Sequence, residues 1–328
     1  MTPPRAVMVH AFGPAGGFAL ETHDPGPPGA GHVRITVHAA GVSFADVLVA
    51  AGKYQLKPPL PFVPGSEFSG VIEAVGVDVD PARVGERVCV SGFGMAFGTA
   101  AVAPAQRAVP IPDEMSFAEA AVFRVSYATA YYALVQRGQL RPGETLLVLG
   151  AGGAVGYAAV QIGKRLGAAV VASASTPEKR ALAAAGGADV AIDSAAADWR
   201  ALVRAAQGGR GVDVVFDPVG GAATEPAFRS LAWAGRLLVI GFAAGEIAKL
   251  PVNLALLKGA SLVGVDIRQM DEFEPALAAA NLQALFALYR EGGLRPPIGH
   301  IYPLEDFATA MEDVRSGQRA GRVVLRMR

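Results

Sequence analysis

The chain has 328 residues, 52% of them hydrophobic and 18% charged, and a formal net charge of zero. These figures exclude a disordered chain and give no basic surplus for nucleic acid, while the apolar share suits a sheet covered on both faces. The one cysteine, Cys89, excludes an internal disulfide and a cysteine-based zinc site.

The opening residues "MTPPRAVMVHAFG" lack the apolar core of a secretory signal, and no later apolar run is long enough to cross a bilayer. A soluble, cytoplasmic protein is expected. The first third reads as β-rich, because "HVRITVHAAGV", "GVIEAVG" and "GERVCVSG" are short β-branched runs cut by glycine. Dense proline in "DPGPPGAG" and "KPPLPFVPG" marks loops and edges. Together they predict a compact, partly open β-barrel with long connections. Within "PGSEFSGVIEAVG", Glu67 sits among small residues and glycines, which argues against an unbroken strand there.

Near Ser116 the character changes. "SFAEAAVFRVSYATAYYALVQRG" has helical spacing, and Ser116 with Glu119 forms a capping-box pattern. From Thr145 strands and helices alternate. "TLLVLG" reads as a strand, "AVGYAAVQIGKRLG" as a helix, "AAVVASAS" as a strand and "PEKRALAAAG" as a helix opened by Pro177. "ADVAID", "GVDVVFDPVG" and "GRLLVIGF" follow as strands. The alternation predicts an α/β fold with a parallel, doubly wound sheet. A helix at "NLQALFALYREGGLRPP", the segment "EDFATAMEDVRSG" and a final strand "GRVVLRM" complete the chain.

"TLLVLG" runs directly into "AGGAVG", which opens a helix. Strand, glycine turn and helix form the context of a dinucleotide site. The spacing from Ala151 is A-x-G-x-x-G, so the first glycine is replaced while Gly153 and Gly156 are in place. Gly153 lets the backbone approach a pyrophosphate, and Gly156 lets the helix pack against the strand. Gly152, Gly153, Ala154 and Val155 are the expected contacts, with the helix N-terminus supplying N–H groups and a partial positive charge. The bland alternative is a glycine-rich turn without a ligand. About 20 residues on, an NAD site carries an acid for the ribose 2′-hydroxyl. Here "ASASTPEKR" offers Ser173, Ser175 and Thr176, then Lys179 and Arg180. Hydroxyls and cations suit a 2′-phosphate, so NADPH is the expected cofactor.

"GVSFADVLVAAGKY", "PFVPGSEFSGVIEAVG", "GETLLVLGAGGAVGYAAVQIGKRLGA", "VVFDPVGG" and "GRVVL" occur in this order along essentially the whole chain. In these the sequence resembles the medium-chain dehydrogenase/reductase superfamily, and within it the zinc-free quinone oxidoreductase branch related to zeta-crystallin. The resemblance implies a GroES-like catalytic domain at 1–120, a Rossmann NADPH-binding domain at 121–260, and a return segment at 261–328 that completes the catalytic domain. It also implies a homodimer formed through an edge strand of the cofactor domain, for which "SLVGVD" is the expected segment.

Zinc-dependent relatives carry G-x-C-x-x-D and G-H-E where this chain reads "GVSFAD" and "GSE". Ser43 and Ser66 stand in place of two metal ligands, while Asp46 and Glu67 remain. The four-cysteine structural zinc lobe is missing, and none of His10, His23, His32, His38 and His300 stands four residues from another. No metal is therefore expected. Glu67 is assigned a structural role, accepting hydrogen bonds or pairing with a nearby cation.

The resemblance further implies residue roles. Tyr54 matches a tyrosine that donates a proton or hydrogen bond in related enoyl reductases, with an aromatic wall as the bland alternative. Ser43 matches a position, often asparagine, that faces the nicotinamide. Thr129 matches a threonine near the nicotinamide, and Gly241 with Phe242 matches a loop over its ribose. Arg322 matches a basic residue that reaches the cofactor, with a surface pair as its alternative. Ser194 falls where relatives place a tyrosine against the adenine phosphate. Arg124 stands where relatives carry a neutral residue. It reads either as a solvent-facing helix-start arginine or as an attractor for an anionic acceptor.

The expected activity is NADPH-dependent hydride transfer to quinones. The alternative is reduction of enoyl or acrylate-type α,β-unsaturated carbonyls. From another class comes a low-turnover NADPH-binding structural or RNA-binding protein, against which the zero net charge speaks for the RNA case. An alcohol dehydrogenase is disfavoured because the metal ligands are replaced.

Overall fold

The computed structural model describes residues 3–13, 17–317 and 319–327. It divides into two compact units, Met1–Val125 with Pro297–Arg328, and Ser126–Pro296. The first unit contains β1 (Arg5–Val9), β2 (Phe18–Thr22), β3 (His32–Val42), α1 (Phe44–Ala50), β4 (Glu67–Val75), β5 (Arg87–Ser91), β6 (Ala100–Pro104), β7 (Ala108–Pro110) and the start of α2 (Phe117–Tyr131). A π-helical stretch, Tyr132–Arg137, continues α2 in the second unit. There follow β8 (Thr145–Leu149), α3 (Ala154–Arg165), β9 (Ala169–Ala174), α4 (Pro177–Ala185), β10 (Val190–Asp193), α5 (Trp199–Ala206), β11 (Val212–Asp217), α6 (Thr224–Arg229), β12 (Leu231–Val239), α7 (Asn253–Lys258), β13 (Ser261–Gly264), α8 (Ile267–Phe273) and α9 (Pro275–Arg290). The chain then returns to the first unit with β14 (Ile298–Pro303), α10 (Phe307–Ser316) and β15 (Arg322–Arg326).

In the first unit β1 and β2 pair with each other, and the other strands run in the order β14-β15-β3-β4-β5-β7, with β6 also on β3. The N-terminal half of β3 takes β6 and its C-terminal half takes β15. A strand shared this way must bend, and its ladder with β4 slips between Arg34 and Ile35 and between Val37 and Ala39. Ile35, Phe68, Ile72 and Phe97 close one core beneath it. Each such side chain contributes about 1.5–3 kcal/mol by burial.

Glu67 corrects the expectation for its segment, because it opens the nine-residue strand β4. The glycine that argued against a strand is what allows the pairing. A Cβ on Gly70 would collide with the carbonyl oxygen of Thr36 on β3. The irregularity lies in the ladder's register rather than in a broken strand.

The second unit is a six-stranded sheet ordered β10-β9-β8-β11-β12-β13, with every pairing parallel. All five residues of β8 are buried, as a central strand covered on both faces requires. Its order reverses between β8 and β11, and the crevice at that switch point is where α/β sheets bind ligands. The expected division at 260 is corrected. β13 is hydrogen-bonded to β12, α8 and α9 stay with the same unit, and the return begins at Pro297. The first division falls at Val125 rather than 120, within α2.

Candidate active site

In the second unit β8 ends at Leu149, and Gly150 turns the chain at φ +59°. Gly153 is the N-cap of α3 and offers no side-chain cap, so the first N–H groups of a twelve-residue helix are left for a ligand. A Cβ on Gly156 would collide with the Gly150 carbonyl oxygen, so this glycine is what lets α3 seat on the turn. Ala154 and Val155, half-buried, form the first helical positions. Gly152 is covered by Lys179, since a Cβ there would stand 2.5 Å from the Lys179 Cβ. The lysine stem thus lies across the glycine turn, and burial lowers its ammonium pKa.

The end of β9 partly differs from expectation. Ser173 is buried inside the strand, and its carbonyl accepts from Ala151 N–H at 3.0 Å. Its backbone anchors the turn, and its side chain is buried where that of Ser175 is exposed. Ser175 is exposed, and Thr176 caps α4 by accepting the Lys179 N–H at 3.3 Å. Arg180 is engaged by Asp193 at 3.2 Å and donates to the Ala174 carbonyl at 3.3 Å. Asp193, at the end of β10, is a carboxylate that linear reading missed. Ser194 follows it, exposed.

Asp217 was also missed. Buried at the end of β11, it accepts from Val219 N–H and Gly220 N–H, both at 2.9 Å, and from the Thr224 hydroxyl at 2.7 Å. The "DPVGG" turn carries the only sequence signal for it. Gly220, at φ +71°, lies under Phe242, whose ring would be 2.8 Å from a Cβ there. Ala243 and Ala244 donate to the carbonyls of Pro218 and Val219 at 3.1 and 2.9 Å. Gly241 and Phe242 are thereby held beside the β11 turn, with Phe242 42% exposed. Thr129, on α2, is buried.

In the first unit Ser43 caps α1. Its hydroxyl donates to Asp46 Oδ2 at 2.7 Å and accepts the Asp46 N–H at 3.2 Å, while its own N–H donates to Asp46 Oδ2 at 2.8 Å. The capping box commits the Ser43 proton to Asp46, which corrects its expected role as a donor to the nicotinamide. Asp46 is buried, and burial raises its pKa against the hydrogen bonds of Ser43 and Ser66.

Glu67 is buried on β4. One carboxylate oxygen accepts the Val125 N–H of α2 at 2.6 Å, and the other stands 3.6 Å from Arg322 Nη2. The arginine contact is an ion pair beyond hydrogen-bond length. Burial pushes the Glu67 pKa up to about 7, with the Arg322 charge and the Val125 N–H opposing. Glu67 thus plays both structural parts expected of it. The surface-pair alternative for Arg322 is corrected, since the residue is buried on β15 against Glu67. Arg124 is half-buried rather than solvent-facing, donates to the Arg107 carbonyl at 3.0 Å, and adds its field to Glu67. Tyr54 is half-buried with its ring 5.5 Å from that of Phe93. Among the described residues no three His, Cys, Asp or Glu side chains gather where a metal ion would be held.

Two family models match: the alcohol dehydrogenase GroES-like domain over residues 29–113 and the zinc-binding dehydrogenase over residues 154–281. The latter stretch holds no cysteine and no histidine. Quinone oxidoreductase-like protein 2 of Mus musculus is 37% identical over 306 residues, covering 93% of this chain and 87% of that protein. The crystal structure of a probable oxidoreductase from Mycobacterium abscessus is 34% identical with a TM-score of 0.88, covering 99% of each chain. A mycobacterial structure complexed with NADPH is 30% identical with a TM-score of 0.89, over 99% of this chain and 100% of that one.

Proposed function

Since the chain belongs to the medium-chain dehydrogenase/reductase family, a family of oxidoreductases, we propose that it is a zinc-independent, NADPH-dependent reductase of quinones. The observation that carries this reading is the state of the old metal position. Ser43 and Ser66 replace ligands, and the remaining Glu67 is tied to Val125 N–H and faced by Arg322. A guanidinium 3.6 Å from the carboxylate opposes a divalent cation there. An acceptor that needs no Lewis acid must itself be electron-poor, and a planar quinone is.

The donor set suits a nicotinamide dinucleotide. The uncapped start of α3 at Gly153 meets a pyrophosphate, and Ser175 with Lys179 meets a 2′-phosphate. Asp193 is already engaged by Arg180, which opposes its gripping a 2′-hydroxyl. In this reading Gly152, Ala154, Val155 and Ser194 line the same path, while Thr129, Gly241 and Phe242 orient the nicotinamide end. When bound, NADPH supplies the hydride. Tyr54 holds a proton at its phenolic oxygen for the oxygen of the acceptor, and Ser43 keeps α1 in place through its cap.

The same phenol favours a second acceptor class, α,β-unsaturated carbonyls, whose reduction requires a proton donor. The reading extends to a cytoplasmic homodimer. Among the described residues β13 ends the parallel sheet with one edge unpaired, and Leu262 on it is 54% exposed, so a second copy would cover an apolar edge.

The test is loss of reduced-nicotinamide absorbance with chelator-treated protein, comparing a naphthoquinone, an enone and NADH in place of NADPH. Quinone turnover that prefers NADPH and ignores the chelator supports the proposal. Loss of activity on chelation, restored by zinc, would overturn it.

A further inference from the structure

The loop after β5 reads Ser91-Gly92-Phe93-Gly94-Met95. Three of its residues have positive φ: Gly92 at +156°, Gly94 at +90° and Met95 at +68°. Methionine gains nothing from that conformation by itself, so the surroundings impose it. Gly92 N–H donates to the Ser66 carbonyl at 2.9 Å, Met95 N–H to Val63 at 3.0 Å, and Ala96 N–H to Pro64 at 3.2 Å. A Cβ on Gly92 would stand 2.7 Å from Arg107 Nη1, so this turn accepts only glycine without displacing a cation.

The pinned, strained loop has a visible product. It sets the half-buried Phe93 ring against Tyr54, with centroids 5.5 Å apart and planes tilted by 43°. Tyr54 receives no such support from its own segment, since residues 51–61 contain neither helix nor strand. Tilted packing at this distance is a favoured aromatic geometry, and it fixes the direction of the neighbouring ring.

We propose that Phe93 is a positioning residue for Tyr54, holding the phenolic O–H on the line it must take to an acceptor oxygen. The proposal rests on the reading above, in which Tyr54 supplies a proton. With an enone, hydride forms a bond to the β-carbon and the C=C electron pair moves toward the carbonyl, giving an enolate. The phenol transfers its proton to that oxygen, and water returns one to the phenolate. A quinone gives a hydroquinone monoanion, stabilised enough to take its one remaining proton from water when the phenol is misaligned. Loss of Phe93 therefore falls more heavily on kcat for the enone than for the quinone.

The experiment compares Tyr54→Phe, Phe93→Ala, Phe93→Leu, Phe93→Tyr and the double variant Y54F/F93A, using full-length protein saturated with NADPH and both acceptors. Tyr54→Phe should lower enone kcat about 100-fold, the range of a general acid. Phe93→Ala and Phe93→Leu should lower it about tenfold, with KM nearly unchanged, and Phe93→Tyr should restore most of the loss. The double variant should be no slower than Tyr54→Phe alone, because the two residues act as one unit. Multiplying losses in the double variant would overturn the proposal. So would equal kcat losses for both acceptors, or leucine serving as well as an aromatic ring. If Tyr54→Phe itself leaves enone kcat unchanged, the proton role of Tyr54 falls together with this proposal. Multiplying losses remove only the part assigned to Phe93.

Discussion

The glycine turn of the second unit and the charge cluster of the first are built in opposite ways. The turn is made of backbone, with glycines at 150, 152, 153 and 156 and the open start of a helix, and its polarity comes from peptide groups. The cluster is made of side chains, with Asp46, Glu67 and Arg322 all buried on different elements. Backbone polarity costs nothing to ionise and does not titrate. Buried side-chain charge is held only by its partners, so it makes the first unit sensitive to single substitutions and to pH.

The largest expected effect tests that sensitivity. Arg322→Leu leaves Glu67 buried without its guanidinium and should cost about 3–5 kcal/mol of unfolding free energy above neutral pH. In the natural chain the Glu67 pKa is raised from 4.5 to about 7. The folded protein therefore holds that proton more tightly than the unfolded one. The resulting stability is fully present below the unfolded value and lost as pH rises through about 7. In Arg322→Leu the falling limb should move to still higher pH, which urea titrations across pH will show. A variant whose stability is flat in pH would break the contrast.

Next comes the backbone site. Gly156→Val drives a side chain into the Gly150 carbonyl and should cost about 1–3 kcal/mol by overpacking. NADPH affinity should fall at least tenfold while the pH profile stays that of the natural chain, as fluorescence titration and urea unfolding will measure. Lys179→Ala should then sharpen the comparison by removing the side-chain charge laid over the turn. NADPH affinity should drop about tenfold and NADH affinity little, the scale of one charge-assisted contact. The smallest effect is expected from Ser43→Ala, about 1 kcal/mol from the lost cap. Hydride transfer should change little, because the serine proton already belongs to Asp46. A large kcat loss would return Ser43 to the donor role.

Legibility followed the same divide. The turn could be read in line because strand, glycines and helix are consecutive, and Pro177 marked the start of α4, whereas Thr176, read as a ligand hydroxyl, is the helix cap. The parallel order of the sheet followed from alternation. β4 could not be read so, because Gly70 is intelligible only beside the Thr36 carbonyl of another strand. The partners of Glu67 lie on α2 and β15, and Asp193 at the end of β10 meets Arg180 on α4. Phe93 carries no signal beyond its flanking glycines. α9 begins at Pro275, ahead of the apolar run that announced it, because proline at the first helical position opens helices it cannot continue.

The three donors gathered by Asp217 bear on how fast a ligand can arrive. A loop whose Val219, Gly220 and Thr224 are already fastened has little freedom left to surrender. Cofactor association should then appear in stopped flow as a single phase, its rate rising in proportion to concentration with no plateau. Asp217→Ala, by unfastening the loop, should introduce that plateau, so the residue would set the tempo of binding more than its strength.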